Sequence, residues 1–234
     1  VTSAHTRFEV PAAVLWDMDG TLVDTEPYWI AAEFEVVDAH GNGRWSDEHA
    51  HALVGSDLRD SGRYIRQHGQ VELPIDDIVN LLLDGVIERV RECVPWRPGA
   101  RELLADLAAH GVPCALVTMS WTRFTSAIVP LLPDGSFTTV VAGDDVVHGK
   151  PHPEPYLTAA ARLGLDPRSC LALEDSPTGA RSAHAAGCFT VAIPNAVSVP
   201  VEIGDVHLDS LVGVDTASLS GLFASCPRRA PGGS

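Results

Sequence analysis

Two aspartates one residue apart, Asp17 and Asp19, end a short apolar run and are followed at once by Gly20 and Thr21 in the stretch VLWDMDGTLVD, residues 14–24. The run is too short for a helix and reads as a buried strand, with Gly20 marking a tight reversal at its end. Residues i and i+2 of an extended segment point the same way, so the two carboxylates could share one site. An acidic turn after a strand is the plain alternative.

Three later places carry further chemistry. Thr118 lies in LVTMS, where a hydroxyl and the amides of a following helix start would suit an anion. Lys150 lies in GKPHP, and Glu174 and Asp175 lie in LALEDSPTG. Singly, each has an ordinary reading: Thr118 as a helix cap, Lys150 as an exposed turn lysine, and the acidic pair as a solvated N-cap. Taken together they would all lie at the carboxyl edge of a parallel sheet, where open α/β sheets bind ligands. Four carboxylates converging there would repel one another and force protonation unless a cation intervened. The set offers oxygen ligands and no clustered His or Cys, which suits a hard ion, Mg2+. A lysine and a hydroxyl beside that ion would complete a clamp for phosphoryl oxygens.

The elements needed to hold these residues are legible in the pattern. A helix is expected after Glu26-Pro27, with Ile30, Phe34 and Val37 on its apolar face and His40 to Gly43 at its end. Two short helices are expected at 47–54 and 58–68 with a turn at Gly55-Ser56, then a longer one from Pro74 to Val90. Two prolines and a glycine in 94–99 suggest a hinge. Beyond it helices at 101–110, 122–129, 154–163 and 178–186 alternate with strands at 114–117, 138–142, 170–173 and 190–193. That alternation predicts a doubly wound, Rossmann-like parallel sheet. An edge strand at 206–208, a short helix at 218–223 and a frayed tail at 228–234 would follow. The resulting division is an α/β core of residues 1–25 and 95–234, interrupted by an all-helical cap of residues 26–94.

The chain has 234 residues, 45% hydrophobic and 20% charged, as expected of a globular protein with a real interior. Its formal net charge of -15 argues against a nucleic-acid-binding surface. An anionic substrate stays open, because a bound cation can reverse the local field. Five scattered cysteines without a C-x-x-C pair suggest a reduced, cytoplasmic protein, with Cys114 and Cys170 buried in strands. No apolar run approaches the ~18 residues of a membrane span, and residues 1–10 show no signal-peptide pattern. The oligomeric state is not fixed by these features, and a monomer is compatible with them.

The strings DMDGTLVDTEP, LVTMS, GKPHPEPY and EDSPTGARSAHAAG, in this order, resemble the haloacid dehalogenase (HAD) superfamily, in its phosphatase and β-phosphoglucomutase branch with a helical cap. The similarity spans roughly residues 12–195. The resemblance implies that Asp17 is the nucleophile, forming an aspartyl-phosphate, and that Asp19 protonates the leaving alkoxide and then activates water. It implies a Mg2+ site of Asp17, the main-chain carbonyl of Asp19, Asp175 and Glu174, the last directly or through water. Thr118 and Lys150 would hold the phosphoryl group, and Gly20 and Thr21 would shape the loop and lend amides to it. The mutases of the branch carry a hinge histidine twelve residues after the nucleophile, where this chain has Trp29. That departure favours water as the final acceptor. Arg59, in the stretch VGSDLR at 54–59, is either a contact for a second substrate group or a solvated helix residue. The function implied is a Mg2+-dependent phosphatase of small phosphorylated metabolites, sugar phosphates among them. A phosphosugar mutase is the alternative, and a non-catalytic phosphometabolite-binding protein a more distant one.

Overall fold

The computed structural model describes residues 10–53 and 56–225. The tail at 228–234, nearly all of the N-terminal stretch, Cys226, Val54 at the end of the helix expected at 47–54, and Gly55 of the expected turn lie outside the described residues.

Strand β1 (Ala13–Trp16) is buried at every position, which explains its uninterrupted apolar sequence. It lies between β2 (Cys114–Val117) and β4 (Cys170–Glu174), and β3 (Thr139–Val141), β5 (Phe189–Ala192) and β6 (Val206–His207) complete a six-stranded sheet of order β3-β2-β1-β4-β5-β6. Every pairing is parallel, with Leu15 opposite Ala115 on one side and Ala172 on the other. The chain runs from β1 outward to β2 and β3 and then crosses to β4, so the order reverses beside β1. Ligand crevices of open parallel sheets form at such a point, outside the carboxyl ends of the strands.

β1 is followed by four helices, α1 (Glu26–His40), α2 (Asp47–His51), α3 (Leu58–His68) and α4 (Ile75–Glu92). The long α4 has acids in its first turn and arginines in its last, the polarity that suits its dipole. It buries Ile78, Leu82, Val86 and Val90 and packs along α1 and α3. The inward face of α1 is rotated from the sequence expectation: Ala32, Glu33, Val36 and Val37 are buried, whereas Ile30 and Phe34 are only partly so. Glu33 gives no sign of this in the pattern, because a charged residue does not register as part of an apolar stripe.

The remaining helices are α5 (Ala100–Ala109), α6 (Thr122–Ile128), α7 (Glu154–Leu163), α8 (Pro177–Ala186) and α9 (Thr216–Ala224). The first turn of α8, which follows β4, reaches the crevice through Pro177, Thr178 and Gly179. The two passages into and out of the helical segment run side by side. Asp24 donates its amide to the Pro95 carbonyl at 2.7 Å, and Arg97 donates to Leu22 at 3.0 Å. Cys114 and Cys170 are buried, as their strands required, and burial pushes the Cys114 thiol up to about 12. No helix among the described residues is long and apolar enough to cross a membrane.

Candidate active site

A cavity of about 470 Å³ opens over the carboxyl end of β1, with Asp17, Asp19, Gly20, Thr118, Lys150 and Asp175 at its floor. The size suits a small metabolite. The residues come from the ends of β1, β2 and β4 and from the loop after β3, so the parallel sheet alone brings together side chains more than a hundred positions apart.

Lys150 organises the floor. Its ammonium lies 2.6 Å from Asp17 Oδ1, 2.6 Å from Glu174 Oε1 and 3.0 Å from the Val117 carbonyl oxygen. The side chains of Lys150, Asp17 and Glu174 are 5%, 9% and 0% exposed, so this is a buried network and not an exposed turn lysine. Burial works against the lysine charge, but Asp17 and Glu174 outweigh it and hold the ammonium above its ordinary range. Tyr156 donates to the same Glu174 oxygen at 2.6 Å and completes the seat.

Glu174 is the last residue of β4 and is fully buried, so it is not part of a solvated cap. The cap of α8 is Ser176, whose hydroxyl accepts from the Gly179 amide at 3.0 Å. Gly179 makes the arrangement possible: a Cβ there would stand 1.9 Å from Glu174 Oε1. Gly20 plays the same part for the other acid. It has φ +92, and a Cβ would stand 2.0 Å from Asp175 Oδ2.

The four acids divide three and one. Ligand oxygens of Asp17, Glu174 and Asp175 lie within 4.8 Å of one another. The Asp19 carboxylate is not in that group and turns to hydroxyls instead. Its Oδ1 accepts from Thr25 at 2.5 Å, and its Oδ2 accepts from Ser120 at 2.8 Å and Thr118 at 3.2 Å. Burial raises the Asp19 carboxyl above the ordinary range, with Asp17 adding to the effect and the three hydroxyls opposing it.

The trio carries an excess of negative charge that Lys150 alone does not balance. Burial, reinforced by Asp17 and Glu174, pushes the Asp175 carboxyl up to about 9. Asp17 Oδ2 is buried without a hydrogen-bond partner. Three carboxylates with ligand oxygens this close, carrying a charge that Lys150 does not balance, are the donor set of a hard divalent cation, and the residues present fit Mg2+.

Several residues sit differently from the sequence expectation. Thr25 starts α1 but gives it no side-chain cap, because its hydroxyl is spent on Asp19. Thr118 caps no helix; it donates to Asp19 and accepts from the Ser120 amide at 3.0 Å. The start of α6 is less open to an anion than expected, since Asp144 accepts from the Thr122 amide and hydroxyl, each at 2.8 Å. The Gly20 amide closes its own loop by donating to Val23 at 2.7 Å. Thr21 is buried with an unpartnered hydroxyl and does not line the cavity. Trp29 does line it, with its ring edge against Phe124 at 5.8 Å. Arg59 does not. It is exposed, 3.4 Å from Asp76 and 5.7 Å from the Trp121 ring, as its solvated reading expected.

Thr25, Ser120, Tyr156 and Glu33 belong to the site but were assigned no role in it by sequence. The first three lie within the family-like strings, but only Ser120, three residues beyond the end of β2, stands near a strand end. For Glu33 an acid within an apolar helix face was the only signal.

A family model described as haloacid dehalogenase-like hydrolase matches residues 14–193. Hexitol phosphatase B of Escherichia coli (strain K12) is 30% identical over 217 residues, which span 89% of this chain and 96% of the relative. Protein CbbY of Rhodobacter capsulatus is 33% identical over 193 residues, 78% of this chain and 85% of the relative. A crystal structure of CbbY from Rhodobacter sphaeroides in complex with phosphate superposes with a TM-score of 0.79 at 27% identity, covering 90% of this chain and 99% of that one.

Proposed function

The chain belongs to the haloacid dehalogenase-like hydrolase family, and we propose from that premise that it is a Mg2+-dependent phosphatase of small phosphorylated metabolites. The observation that carries this reading is the state of Asp17. One of its oxygens is fixed by Lys150, and the other is buried and uncommitted at the cavity floor. A carboxylate oriented at one oxygen and free at the other is prepared for nucleophilic attack. The naming of relatives as phosphatases points the same way.

In this reading Asp17 attacks phosphorus and the ester oxygen leaves with a proton from Asp19. Asp19, oriented by Thr25, Ser120 and Thr118, then takes a proton from water, which cleaves the aspartyl-phosphate and releases inorganic phosphate. A carboxyl raised by burial is suited to giving the proton first and taking one later. Lys150 offsets charge on the phosphoryl oxygens, and Glu174 with Tyr156 positions Lys150. Mg2+, held by Asp17, Asp175 and the Asp19 carbonyl with Glu174 beside them, would offset negative charge on the transferring group. Residues 26–94 act as a cap over a core of residues 1–25 and 95–234, supported by the paired passages at Asp24–Pro95 and Leu22–Arg97.

The mutase alternative is disfavoured by the hinge position implied for an acid–base histidine, which holds Trp29 with its ring packed on Phe124. The test is phosphate release from a panel of phosphorylated metabolites. Release is expected to require Mg2+, to stop with EDTA, and to fall by at least about 10³-fold in Asp17→Asn. Undiminished turnover by Asp17→Asn would sink the reading.

A further inference from the structure

The floor of the cavity handles the phosphoryl group; the wall supplied by α1 to α4 meets whatever is attached to it. That wall is largely apolar, with Trp29, Ile30, Leu53 and Leu82 facing the space. Two buried polar residues, Ser61 and Glu33, interrupt it. Glu33 lines the same cavity, is only 5% exposed, and keeps Oε2 without a hydrogen-bond partner. The Trp45 indole N–H, itself buried without another partner, interacts with this carboxyl, and the carboxyl keeps capacity for a further partner from within the cavity.

Charge narrows what that group is. Among the described residues lining the cavity, Lys150 is the one cation, and it is held by Asp17 and Glu174 at the phosphoryl end. Nearby arginines are engaged elsewhere, Arg59 with Asp76, Arg63 with Asp60 and Arg123 with Asn80 and Asp84. The wall adds Glu26 as a second acid. A carboxylate or second phosphate entering here would lose water and gain no counter-ion.

Resting on the phosphatase reading above, we propose that Glu33 is a specificity-determining residue that pairs with a hydroxyl of the leaving group, so that the cavity takes phosphate monoesters of uncharged polyhydroxy compounds and rejects those bearing a second anion. Burial, with Glu26 adding to it and Trp45 opposing it, pushes the Glu33 carboxyl up to about 8. A carboxyl that keeps its proton near neutrality both donates and accepts, which matches the two roles of a hydroxyl.

The test compares kcat/KM with Mg2+ for sorbitol phosphate, phosphoglycolate and a hexose bisphosphate, with p-nitrophenyl phosphate as a probe of the chemistry. The wild-type protein is expected to prefer sorbitol phosphate over both anionic esters by at least about tenfold. Glu33→Leu should lower kcat/KM for sorbitol phosphate by about tenfold or more, chiefly through KM. Glu33→Gln, which still donates and accepts and is nearly the same shape, should keep the preference to within about threefold. Glu33→Lys should move it toward phosphoglycolate. A wild-type preference for either anionic ester, or an unchanged preference in a folded Glu33→Leu or Glu33→Lys protein, overturns the assignment. Absence of phosphate release from all four esters would remove the phosphatase reading itself, an outcome distinct from a wrong preference.

Discussion

At the scale of single residues, the site separates two aspartates that look alike in sequence. Asp17 has one oxygen on Lys150 and the other free, whereas Asp19 has both oxygens occupied by hydroxyls from Thr25, Ser120 and Thr118. Such divergent surroundings are how two carboxyls take two roles. Asp19→Asn preserves the shape and most of the acceptor geometry but cannot exchange a proton. It is expected to lower kcat by roughly 10² to 10⁴, with KM for the ester little changed. Steady-state kinetics on an alkyl phosphate would check this; a loss confined to KM would place Asp19 in binding instead.

At the scale of elements, the floor depends on strand ends and on the glycines that let helices close over them. The first turn of α8 lies directly against Glu174 because Gly179 has no side chain. Gly179→Ala should therefore displace Glu174 and destabilise the protein by about 1–3 kcal/mol. Gly221 offers a control. It lies within α9 with no left-handed φ, and a Cβ there would meet nothing within 4 Å, so Gly221→Ala should stabilise by about 0.5–1 kcal/mol. Urea midpoints for the two variants should move in opposite directions. The same element-level packing explains why Thr25 does not cap α1: a helix start can find water for its amides, but buried Asp19 needs the hydroxyl.

At the scale of the whole molecule, buried acids make stability depend on pH in an unusual direction. Asp175 moves from 3.8 to about 9 on folding, and Glu33 from 4.5 to about 8. Between those limits the folded state holds protons that the unfolded state has released, so stability falls as pH rises. The penalty is absent below the ordinary carboxylate range and complete above about 9. Half-buried Asp106 and Glu154 and exposed Asp215 shift the other way, through a range at or below the foot of this window. The metal-free protein is expected to lose several degrees of Tm between pH 5 and pH 9, and Mg2+ to recover most of that loss while releasing protons. A Tm that is flat across this range, or Mg2+ uptake without proton release, would contradict the ion site.

Sequence by itself determined the parallel α/β sheet, the helical segment after its first strand, and the association of Asp17, Asp19, Lys150 and Asp175 with one sheet edge. Hydrophobic periodicity and turn chemistry are local, and a parallel sheet places its strand ends together whatever the details. Tertiary structure alone decided what each side chain touches. It turned Asp19 toward three hydroxyls, buried Glu174 as the seat of Lys150, left Arg59 outside the cavity and brought Glu33 into its wall. Those outcomes depend on distances of a few ångströms between residues far apart in the chain. In the one-dimensional pattern an acid bound for the interior is indistinguishable from an acid bound for water.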